Sequence, residues 1–350
     1  MKIAVGLSGG VDSSVAALLL KEAGHEVTGV TMRLWRDGRY RGGERDACYG
    51  PHEAEDIDRA SDLARSLGIG YHVFDCSEEY ERAIVGYFRE TSLKGLTPNP
   101  CVMCNAAMKF GLLPQMARKD GLAFDRFATG HYARIVRTDG GRLAVRRAVD
   151  ARKDQSYFLY RLSQEQLAET MFPLGGLTKT EVRKIAAGHG LVTADRMDSQ
   201  DFYSGDKDEL IGAVDREGDI VDLAGNVLGR HNGFWHFTVG QRKGIGVFGP
   251  EPHYVIRLDA CHNRVVVGNR SEAFTREFQV VDLKWMGLAE RPDPIACRVK
   301  IRSTGEPVGP VTLRQGVCIA DGEGLFGVAP GQSAVFYDDD GRIVCGGIIA

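Results

Sequence analysis

Two cysteines three positions apart, Cys101 and Cys104, are the residues whose types and spacing most directly suggest chemistry. A Cys-X-X-Cys spacing brings two sulfur atoms close enough to hold one metal ion or to form one disulfide. A helical pattern begins near Lys109, so we expect a helix N-terminus and the Lys109 ammonium to lower the pKa of both thiols. The alternative is a redox-inert pair beside a turn. A zinc ribbon would need a second Cys-X-X-Cys, which the sequence lacks.

The other six cysteines stand singly. Cys48 lies in a predicted loop, and Cys76 lies at the end of a predicted strand. Both positions can reach the carboxyl edge of a parallel sheet, where doubly wound folds bind their ligands. The remaining four lie in β-like segments of the last third of the chain, and we expect them to be buried as small apolar side chains. They are Cys261, Cys297, Cys318 and Cys345.

A loop rich in glycine and serine joins the first predicted strand to the first predicted helix. Its residues are Gly6, Leu7, Ser8, Gly9, Gly10, Val11, Asp12 and Ser13. Glycines allow backbone N–H groups to approach a phosphate, serines add hydroxyl donors, and a helix N-terminus favours an anion. The loop has neither the Gly-Lys-Ser/Thr of a Walker A motif nor a dinucleotide fingerprint. A plain glycine turn capped by Asp12 or Ser13 is the alternative.

The elements that must position these residues alternate between strand and helix in the first half of the chain. Apolar, β-rich runs predict strands at 2–7, 25–35, 68–77 and 126–136. Helical spacing predicts helices at 11–24, 53–68, 78–94, 109–119, 164–169 and 179–189. The last of these begins with a capping box formed by Thr178 and Glu181. Strands separated by helices of this length indicate a parallel sheet.

The last part of the chain has a different pattern. After about residue 205, short alternating segments between glycine-rich turns replace the helical periodicity, which predicts mostly β structure in small barrels or sandwiches. These segments are 235–240, 253–259, 264–268, 298–303, 333–338 and 341–349.

Composition and charge exclude several classes of protein. The 350 residues include 44 Lys and Arg against 47 Asp and Glu, a net charge of -3, which excludes a nonspecific polyanion binder. No run of about 18 apolar residues occurs, and the apolar stretch at the N-terminus is too short for a signal peptide. We therefore expect no membrane span and a cytoplasmic location, where cysteines remain reduced.

Seven motifs follow one another in a fixed order. They are SGGVDSS, PNPCVMCNAAMKFG, ATGHYAR, KDQSYFLYRL, FPLG, VGQRKGIG and PGQSAVFYD. Through these motifs the chain resembles, from end to end, the tRNA-specific 2-thiouridylases. The resemblance implies an α/β fold with a PP-loop (adenine nucleotide alpha-hydrolase-like) doubly wound parallel sheet, followed by two small β domains. We expect a catalytic domain with an appended helical part at 1–210, a central β domain at 211–273 and a C-terminal β-barrel at 274–350.

The resemblance also implies an activity. In this family ATP adenylylates O2 of the anticodon wobble uridine of tRNA, and a protein-bound sulfur then displaces AMP to give 2-thiouridine. The implied cofactors are ATP and Mg²⁺, and the implied partners are a tRNA with a wobble uridine and a sulfur donor. Asp12 is associated with Mg²⁺, Met32 lies against adenine, and Gly130 lines the nucleotide site by the same resemblance. The implied ATP-binding residues are Gly6, Leu7, Ser8, Gly9, Gly10, Val11, Asp12, Ser13, Met32 and Gly130.

Other site residues follow from motif position in the resemblance. Cys104 matches the proximal catalytic cysteine. Three residues match the segment that contacts the target base: Asn99, Pro100 and Cys101. Five match tRNA-contacting segments: Lys153, Asp154, Gln155, Arg302 and Ser303. Without the resemblance, these segments would be interpreted as a capped turn and an amphipathic strand. A local excess of five positive charges over residues 134–153 leads into the first segment and is expected to steer an RNA backbone.

One position departs from the family pattern. Tyr203, in the segment 198–205, stands where family members carry a second cysteine, and Cys101 stands where many carry Asp. In one explanation, Cys101 and Cys104 hold a 4Fe-4S cluster together with Cys48 or, as second choice, Cys76, since thiolates suit such clusters. In the other, one cysteine of the Cys101–Cys104 pair carries a persulfide and the other resolves it as a disulfide.

Three functions are compatible with these observations. The leading one is an ATP-dependent tRNA uridine 2-sulfurtransferase with Cys104, Cys101 and Asp12 in catalytic roles. A catalytically silent tRNA-binding paralogue would account for Tyr203. A PP-loop ligase acting on a small metabolite would account for Asp12 and the glycines, but it gives no reason for the Cys-X-X-Cys segment or the two β domains.

Overall fold

The computed structural model describes residues 1–43, 47–191, 201–213, 215–249 and 251–350. Its N-terminal part contains a five-stranded sheet in which all neighbouring strands are parallel. In spatial order the strands are Gly70–Asp75, Glu26–Arg33, Lys2–Gly6, Arg126–Ala128 and Thr170–Met171. The predicted strand at 126–136 is wrong in extent, because the chain leaves the sheet after Ala128 and resumes as a separate hairpin strand at Ala133–Arg137.

Helices cover both faces of this sheet. Along the central strand, Ile3 and Val5 point into one apolar core, which also contains Leu18 and Leu63 from two flanking helices. Ala4, between them, points into a second core on the opposite face. Because successive side chains of a strand point to opposite faces, this alternation confirms the predicted doubly wound arrangement.

Most predicted helices are present. The α-helices are Val11–Glu22, Glu53–Leu67, Ser77–Tyr80, Gly86–Leu93, Pro100–Cys104, Leu113–Lys119, Gln164–Glu169, Lys179–Gly188 and Lys207–Ile211. Wider π turns at Glu81–Val85 and Asn105–Leu112 join successive α-helices, and a 3₁₀ turn spans Ser156–Leu159. The predicted capping box of Thr178 and Glu181 is confirmed. The helix Lys207–Ile211, which starts at the cap Asp206 and ends at Gly212 (φ 65°), was not predicted from the sequence.

The helix that carries the paired cysteines begins earlier than predicted. It starts at Pro100 and continues through the π turn toward Lys119, so the expected start near Lys109 is wrong. The Asn99 side chain accepts a hydrogen bond from the backbone N–H of Val102, and proline occupies the first helical position. Both are standard features of a helix N-terminus. Cys101 and Cys104 therefore lie inside the first turns of the helix instead of preceding it.

Two β units follow, as predicted. A four-stranded sheet contains, in spatial order, Val227–His231, Gly218–Val221, Arg264–Gly268 and Tyr254–Asp259. A closed barrel contains Glu277–Trp285, Val317–Ala320, Val308–Arg314, Ile295–Lys300, Ser333–Tyr337 and Ile343–Ile349. Short strands Phe274–Thr275 and Leu325–Phe326 pair beside it, and a further 3₁₀ turn spans Ser271–Ala273. The predicted strand at 235–240 is wrong, since Phe234–His236 forms a 3₁₀ turn.

The basic segment 134–153 mainly connects domains. Its hairpin pairs Ala133–Arg137 with Leu143–Arg147. The Arg142 Nε donates to the Met286 carbonyl at 3.0 Å, and the Arg146 Nε donates to the Asp340 carbonyl at 2.8 Å. These guanidinium groups therefore attach the hairpin to the C-terminal barrel, and RNA steering by the excess positive charge of the segment stays a prediction. Within the described ranges, no helix is long and apolar enough to cross a membrane.

Candidate active site

The glycine and serine loop is built for close backbone approach. Gly9 has φ 70°, and a Cβ at this position would lie 2.6 Å from the Asp56 carbonyl oxygen, so only glycine fits without strain. The helix that follows has Gly10 as its N-cap, without a side-chain capping hydrogen bond. The alternative of a plain turn capped by Asp12 or Ser13 is therefore wrong. Because no side chain caps this helix, its first backbone N–H groups are suited to binding an anion.

The serines of the loop divide into two roles. The buried Ser14 hydroxyl donates to the Gly10 carbonyl at 2.8 Å and so holds the loop shape. The Ser13 hydroxyl lies 3.1 Å from the same carbonyl and accepts from the Ser8 N–H at 3.2 Å. Ser8 is exposed, and its hydroxyl lies 3.2 Å from that of Ser13. Ser8 is thus exposed at the loop, whereas the hydroxyls of the buried Ser13 and Ser14 both hold the Gly10 carbonyl.

Asp12 is the centre of a polar network. Its Oδ1 and Oδ2 accept hydrogen bonds from the Lys179 ammonium at 2.7 and 2.8 Å. Its Oδ1 also accepts from the Tyr132 hydroxyl at 2.8 Å. Sequence reasoning missed Lys179 and Tyr132. One signal existed for Lys179, because a cation at the first position of a helix opposes the helix dipole and so suggests another purpose.

Gly130 and Met32 each lie near the carboxyl end of a strand of the parallel sheet. A Cβ at Gly130 would stand 2.7 Å from the backbone of Asp12 and of Ser13, so glycine permits direct contact with the loop. Met32 lies near the carboxyl end of the strand Glu26–Arg33 and is half-buried against the apolar core. Both positions fall where doubly wound sheets bind ligands, at the carboxyl edge of the strands.

Burial has the largest effect on the pKa values of the paired thiols, Cys101 and Cys104. It raises the pKa of Cys101 to about 12 and that of Cys104 to about 11, although the nearby Lys109 cation acts in the opposite direction on both. The prediction that the helix N-terminus and Lys109 give low thiol pKa values is therefore wrong, because burial has the larger effect. Burial of the neighbouring His131 and the charge of Lys109 lower its pKa to about 3, so this ring is neutral.

The candidate third thiols have contrasting environments. Cys48 is exposed and lies in the short strand Ala47–Tyr49 instead of the predicted loop. Its charge contributes to the raised pKa values of both Cys101 and Cys104, which places it beside them. Cys76 is fully buried, with its sulfur 3.6 Å from that of Met116. Of the two, only Cys48 is accessible from solvent.

The residues that the structure describes contain no group of three or more His, Cys, Asp or Glu side chains that could hold a metal ion. The thiols are therefore not arranged for the expected 4Fe-4S cluster at Cys101, Cys104 and Cys48. Of the four cysteines expected in the β cores, Cys297, Cys318 and Cys345 are buried, as predicted. Cys261 is exposed in a turn, so its predicted burial is wrong.

Tyr203 belongs to an aromatic cluster. Its strand, Asp201–Tyr203, pairs in parallel with Ala47–Tyr49, so that Tyr203 is opposite Tyr49. Its ring is 1% exposed and packs against Trp35, Tyr40 and Tyr49. Its hydroxyl donates to Glu209. Residues 198–200 of the same motif lie outside the described residues. Tyr203 therefore has a packing role at the position of the missing cysteine.

The segment expected to contact the target base is tied to the C-terminal barrel. The Asn99 amide donates to the Gln332 side chain at 3.3 Å, and the Gln332 amide donates to the Pro98 carbonyl at 3.1 Å. Gly331 permits this contact, since a Cβ there would lie 2.8 Å from the Thr97 nitrogen. Asn99 and Pro100 are buried, and Cys101 is half-buried. The barrel thus positions the start of the cysteine helix.

Three family models match the chain one after another. A model described as "tRNA methyl transferase HUP domain" matches residues 1–203. One described as "tRNA methyl transferase PRC-barrel domain" matches residues 211–269, and one described as "Aminomethyltransferase beta-barrel domain" matches residues 275–349.

Curated relatives match over nearly the full length. The tRNA-specific 2-thiouridylase MnmA of Endomicrobium trichonymphae is 43% identical over 357 residues, covering 100% of this chain and 99% of the relative. The proteins of the same name from Nostoc sp. and Chloroflexus aggregans are each 44% identical, covering 99% of this chain and 98% of the relative. The chain belongs to the tRNA-specific 2-thiouridylase family. This membership confirms the resemblance drawn from the motifs.

In this family member, the expected tRNA-contacting residues have different environments. The Asp154 carboxylate is buried and accepts from the Ala148 N–H at 3.1 Å and the Ser156 hydroxyl at 2.9 Å, so it holds the loop together, and its contact with tRNA stays a prediction. Gln155 accepts from the Tyr132 N–H at 2.9 Å, which connects its loop to the Asp12 network. Lys153 is half-buried on the same loop.

Arg302 and Ser303 lie at a junction between the two β units of this 2-thiouridylase family member. The Arg302 guanidinium donates to the Val239 and Gly327 carbonyls, each at 3.0 Å. Gly240 (φ 83°) and Gly327 (φ 66°) lie beside the guanidinium, and both have left-handed backbone conformations that favour glycine. Arg302 therefore joins the central unit to the barrel, and Ser303 beside it is half-buried.

Proposed function

We propose that this protein is an ATP-dependent tRNA uridine 2-sulfurtransferase. It adenylylates O2 of the anticodon wobble uridine, releases pyrophosphate, and then replaces the activated oxygen with sulfur, releasing AMP. The observation that carries the proposal is the proximity of Cys104 to the carboxyl edge of the PP-loop sheet. Cys76 directly follows the strand that pairs with Met32, and the charge of Cys104 contributes to the raised pKa of Cys76.

The adenylylation half uses the PP-loop, residues 6–13. Backbone N–H groups at the uncapped start of the helix Val11–Glu22 bind the pyrophosphate part of ATP, with Ser8 and Ser13 beside them. The Asp12 carboxylate, a hard oxygen ligand, fits Mg²⁺, which supplies positive charge to the phosphates when bound. Met32 and Gly130 complete the nucleotide site. These roles are supported by the close approach of Gly130 to the loop.

The sulfur half uses Cys101 and Cys104. A persulfide forms when the thiolate of one of them attacks the outer sulfur of a persulfidated carrier protein, whose own cysteine leaves as a thiolate. Its terminal sulfur attacks C2 of the adenylylated uridine, and AMP leaves with the electron pair of the C–O bond. The second cysteine thiolate then attacks the protein-bound sulfur, so that a Cys101–Cys104 disulfide forms and 2-thiouridine departs. A dithiol reductant from solution must reduce this disulfide before the next turnover.

The persulfide route is preferred over the cluster route because the described thiols are not grouped for a metal ion. Cys48 is exposed and adjacent to the pair, and it marks the side from which a sulfur donor reaches Cys101 and Cys104. A cytoplasmic location with reduced thiols is part of the proposal. Iron and acid-labile sulfide in the anaerobically purified protein, lost together with activity on chelation, would instead support the cluster.

The experiment that tests the function uses defined RNA. A tRNA transcript with a wobble uridine is incubated with the protein, ATP, Mg²⁺, a persulfidated carrier protein as sulfur donor and dithiothreitol, and its nucleosides are quantified by mass spectrometry. We expect 2-thiouridine in amounts equal to the AMP formed, and neither product with a transcript carrying cytidine at the wobble position. The exposed Cys261→Ser variant is the matched control and should retain full activity. AMP formation without tRNA, or the absence of 2-thiouridine, would contradict the proposal.

A further inference from the structure

Lys179 is a buried cation in an unusual position. It is the first residue of the helix Lys179–Gly188, directly after the capping residue Thr178, and it is only 7% exposed. A cation at a helix N-terminus opposes the helix dipole. Burial of an ammonium group is costly unless an anion compensates it. Because both its position in the helix dipole and its burial are unfavourable, Lys179 is expected to have a role other than stabilising the helix.

In the structure, Asp12 compensates the charge of Lys179. The ammonium contacts both carboxylate oxygens of Asp12, at 2.7 and 2.8 Å, although the two residues are 167 positions apart. Asp12 is the second residue of the helix that the PP-loop begins. Lys179 therefore reaches the mouth of the PP-loop, where the pyrophosphate is expected to bind.

The pair cannot persist unchanged once Asp12 serves a metal ion. A carboxylate that coordinates Mg²⁺ gives up much of its capacity to neutralise Lys179, and a second anion beside the buried ammonium is then favourable. The pyrophosphate in the adjacent loop is an anion of suitable charge. Tyr132, which donates to Asp12 at 2.8 Å, holds the carboxylate in place during such an exchange.

We propose that Lys179 is a pyrophosphate-binding residue, which Asp12 holds in reserve until a nucleotide enters the PP-loop. This inference rests on the proposed function and adds a residue to it. In the exchange, Lys179 turns from Asp12 to the oxygens of the leaving pyrophosphate. It then carries positive charge at the point where negative charge develops as the uridine oxygen attacks the α-phosphorus of ATP.

The test is pyrophosphate binding in the presence of EDTA, measured by isothermal titration calorimetry on the full-length protein. EDTA removes metal ions that would themselves bind pyrophosphate, so the measured affinity reports the contribution of Lys179. Lys179→Met should weaken binding at least tenfold, whereas the matched control Lys184→Ala, an exposed lysine on the same helix, should leave it unchanged. Asp12→Asn should tighten metal-free binding, because Lys179 loses the carboxylate that competes for it.

The double variant Asp12→Asn/Lys179→Met guards against misfolding, since it removes both charges of the Asp12–Lys179 pair together. It should bind pyrophosphate as weakly as Lys179→Met. A purely structural salt bridge predicts the opposite pattern: normal affinity in the double variant and no tightening in Asp12→Asn. Either result would overturn the proposal. The assay contains no tRNA and no sulfur, so failure of the proposed thiolation would leave its outcome interpretable.

Discussion

Tyr203 stacks on Trp35, with ring centroids 6.5 Å apart and ring planes 23° from parallel. This contact belongs to a cluster that also includes Tyr40, Tyr49 and Tyr80. The cluster fixes the chain after the strand Glu26–Arg33 against the strand Asp201–Tyr203. Tyr203 thus takes part in the packing beside Cys48, which is exposed and adjacent to Cys101 and Cys104.

Because Tyr203 has a packing role, substituting it should lower the free energy of unfolding without affecting thiolation activity. Tyr203→Phe keeps the ring and removes the hydrogen bond to Glu209, so unfolding free energy should fall by about 1–2 kcal/mol. Tyr203→Ala removes the ring and should cost about 3–5 kcal/mol. Urea denaturation measures both, and single-turnover thiolation measures activity. A folded Tyr203→Phe protein that has lost thiolation would show that the hydroxyl takes part in the chemistry.

Asp154 should behave as a structural anion. Its carboxylate faces Lys300 at 3.8 Å, and both side chains are almost fully buried. Asp154→Ala leaves that cation unpaired, so we expect a loss of about 3–5 kcal/mol of unfolding free energy. The exposed Asp139→Ala is the control and should change stability by less than about 0.5 kcal/mol. If Asp154→Ala instead weakens tRNA binding while stability is unchanged, Asp154 is an RNA contact after all.

Periodicity and motif order predicted the fold well, because strands and helices of the sheet follow local patterns of apolar residues. The contacts that complete the site join residues far apart in the sequence, so they could not be predicted from local patterns. Lys179 meets Asp12 only because the sheet brings their helices together, and no local pattern encodes that distance. The prediction of low pKa values for Cys101 and Cys104 was wrong for the same reason, because the burial of a side chain depends on the packing of the whole core. The start of their helix at Pro100 could have been predicted from the sequence, because Asn99 followed by proline is a signal for a helix N-terminus.

Buried Cys104 should react slowly with alkylating reagents at neutral pH. Burial raises its pKa to about 11, so the thiolate fraction and the rate of iodoacetamide labelling should rise about tenfold per pH unit between pH 6 and 9. Lys109→Met should slow labelling at each pH, because the Lys109 cation lowers the thiol pKa. The exposed Lys119→Met is the control. Peptide mass spectrometry reports the rates, and a plateau below pH 8 would contradict the burial effect.

Glu53 should make stability depend on pH. Burial raises its pKa from 4.5 to about 7, although its carboxylate accepts hydrogen bonds from the backbone N–H groups of Leu34 and Trp35. The folded state therefore binds the proton more tightly than the unfolded state. The stability that protonated Glu53 contributes is fully present below about pH 4.5 and is lost as the pH rises through about 7.

The Glu53→Gln variant isolates this effect. The difference in unfolding free energy between the original protein and Glu53→Gln should decrease from pH 4.5 to 7 and stay constant above pH 8, as urea denaturation can measure. Exposed Glu90→Gln should show a much smaller slope. A difference that increases with pH would mean that the two backbone hydrogen bonds outweigh burial.

The most direct test of the division of labour between the PP-loop and the cysteine helix is a single-turnover reaction with Cys104→Ser. The protein, in excess over a wobble-uridine tRNA transcript, receives ATP, Mg²⁺, a persulfidated carrier protein and dithiothreitol, and both pyrophosphate and 2-thiouridine are quantified. The variant is expected to release pyrophosphate at a rate close to that of the original protein and to form no 2-thiouridine. Formation of 2-thiouridine by Cys104→Ser at the original yield would contradict the assignment of Cys104 as the sulfur-transferring residue.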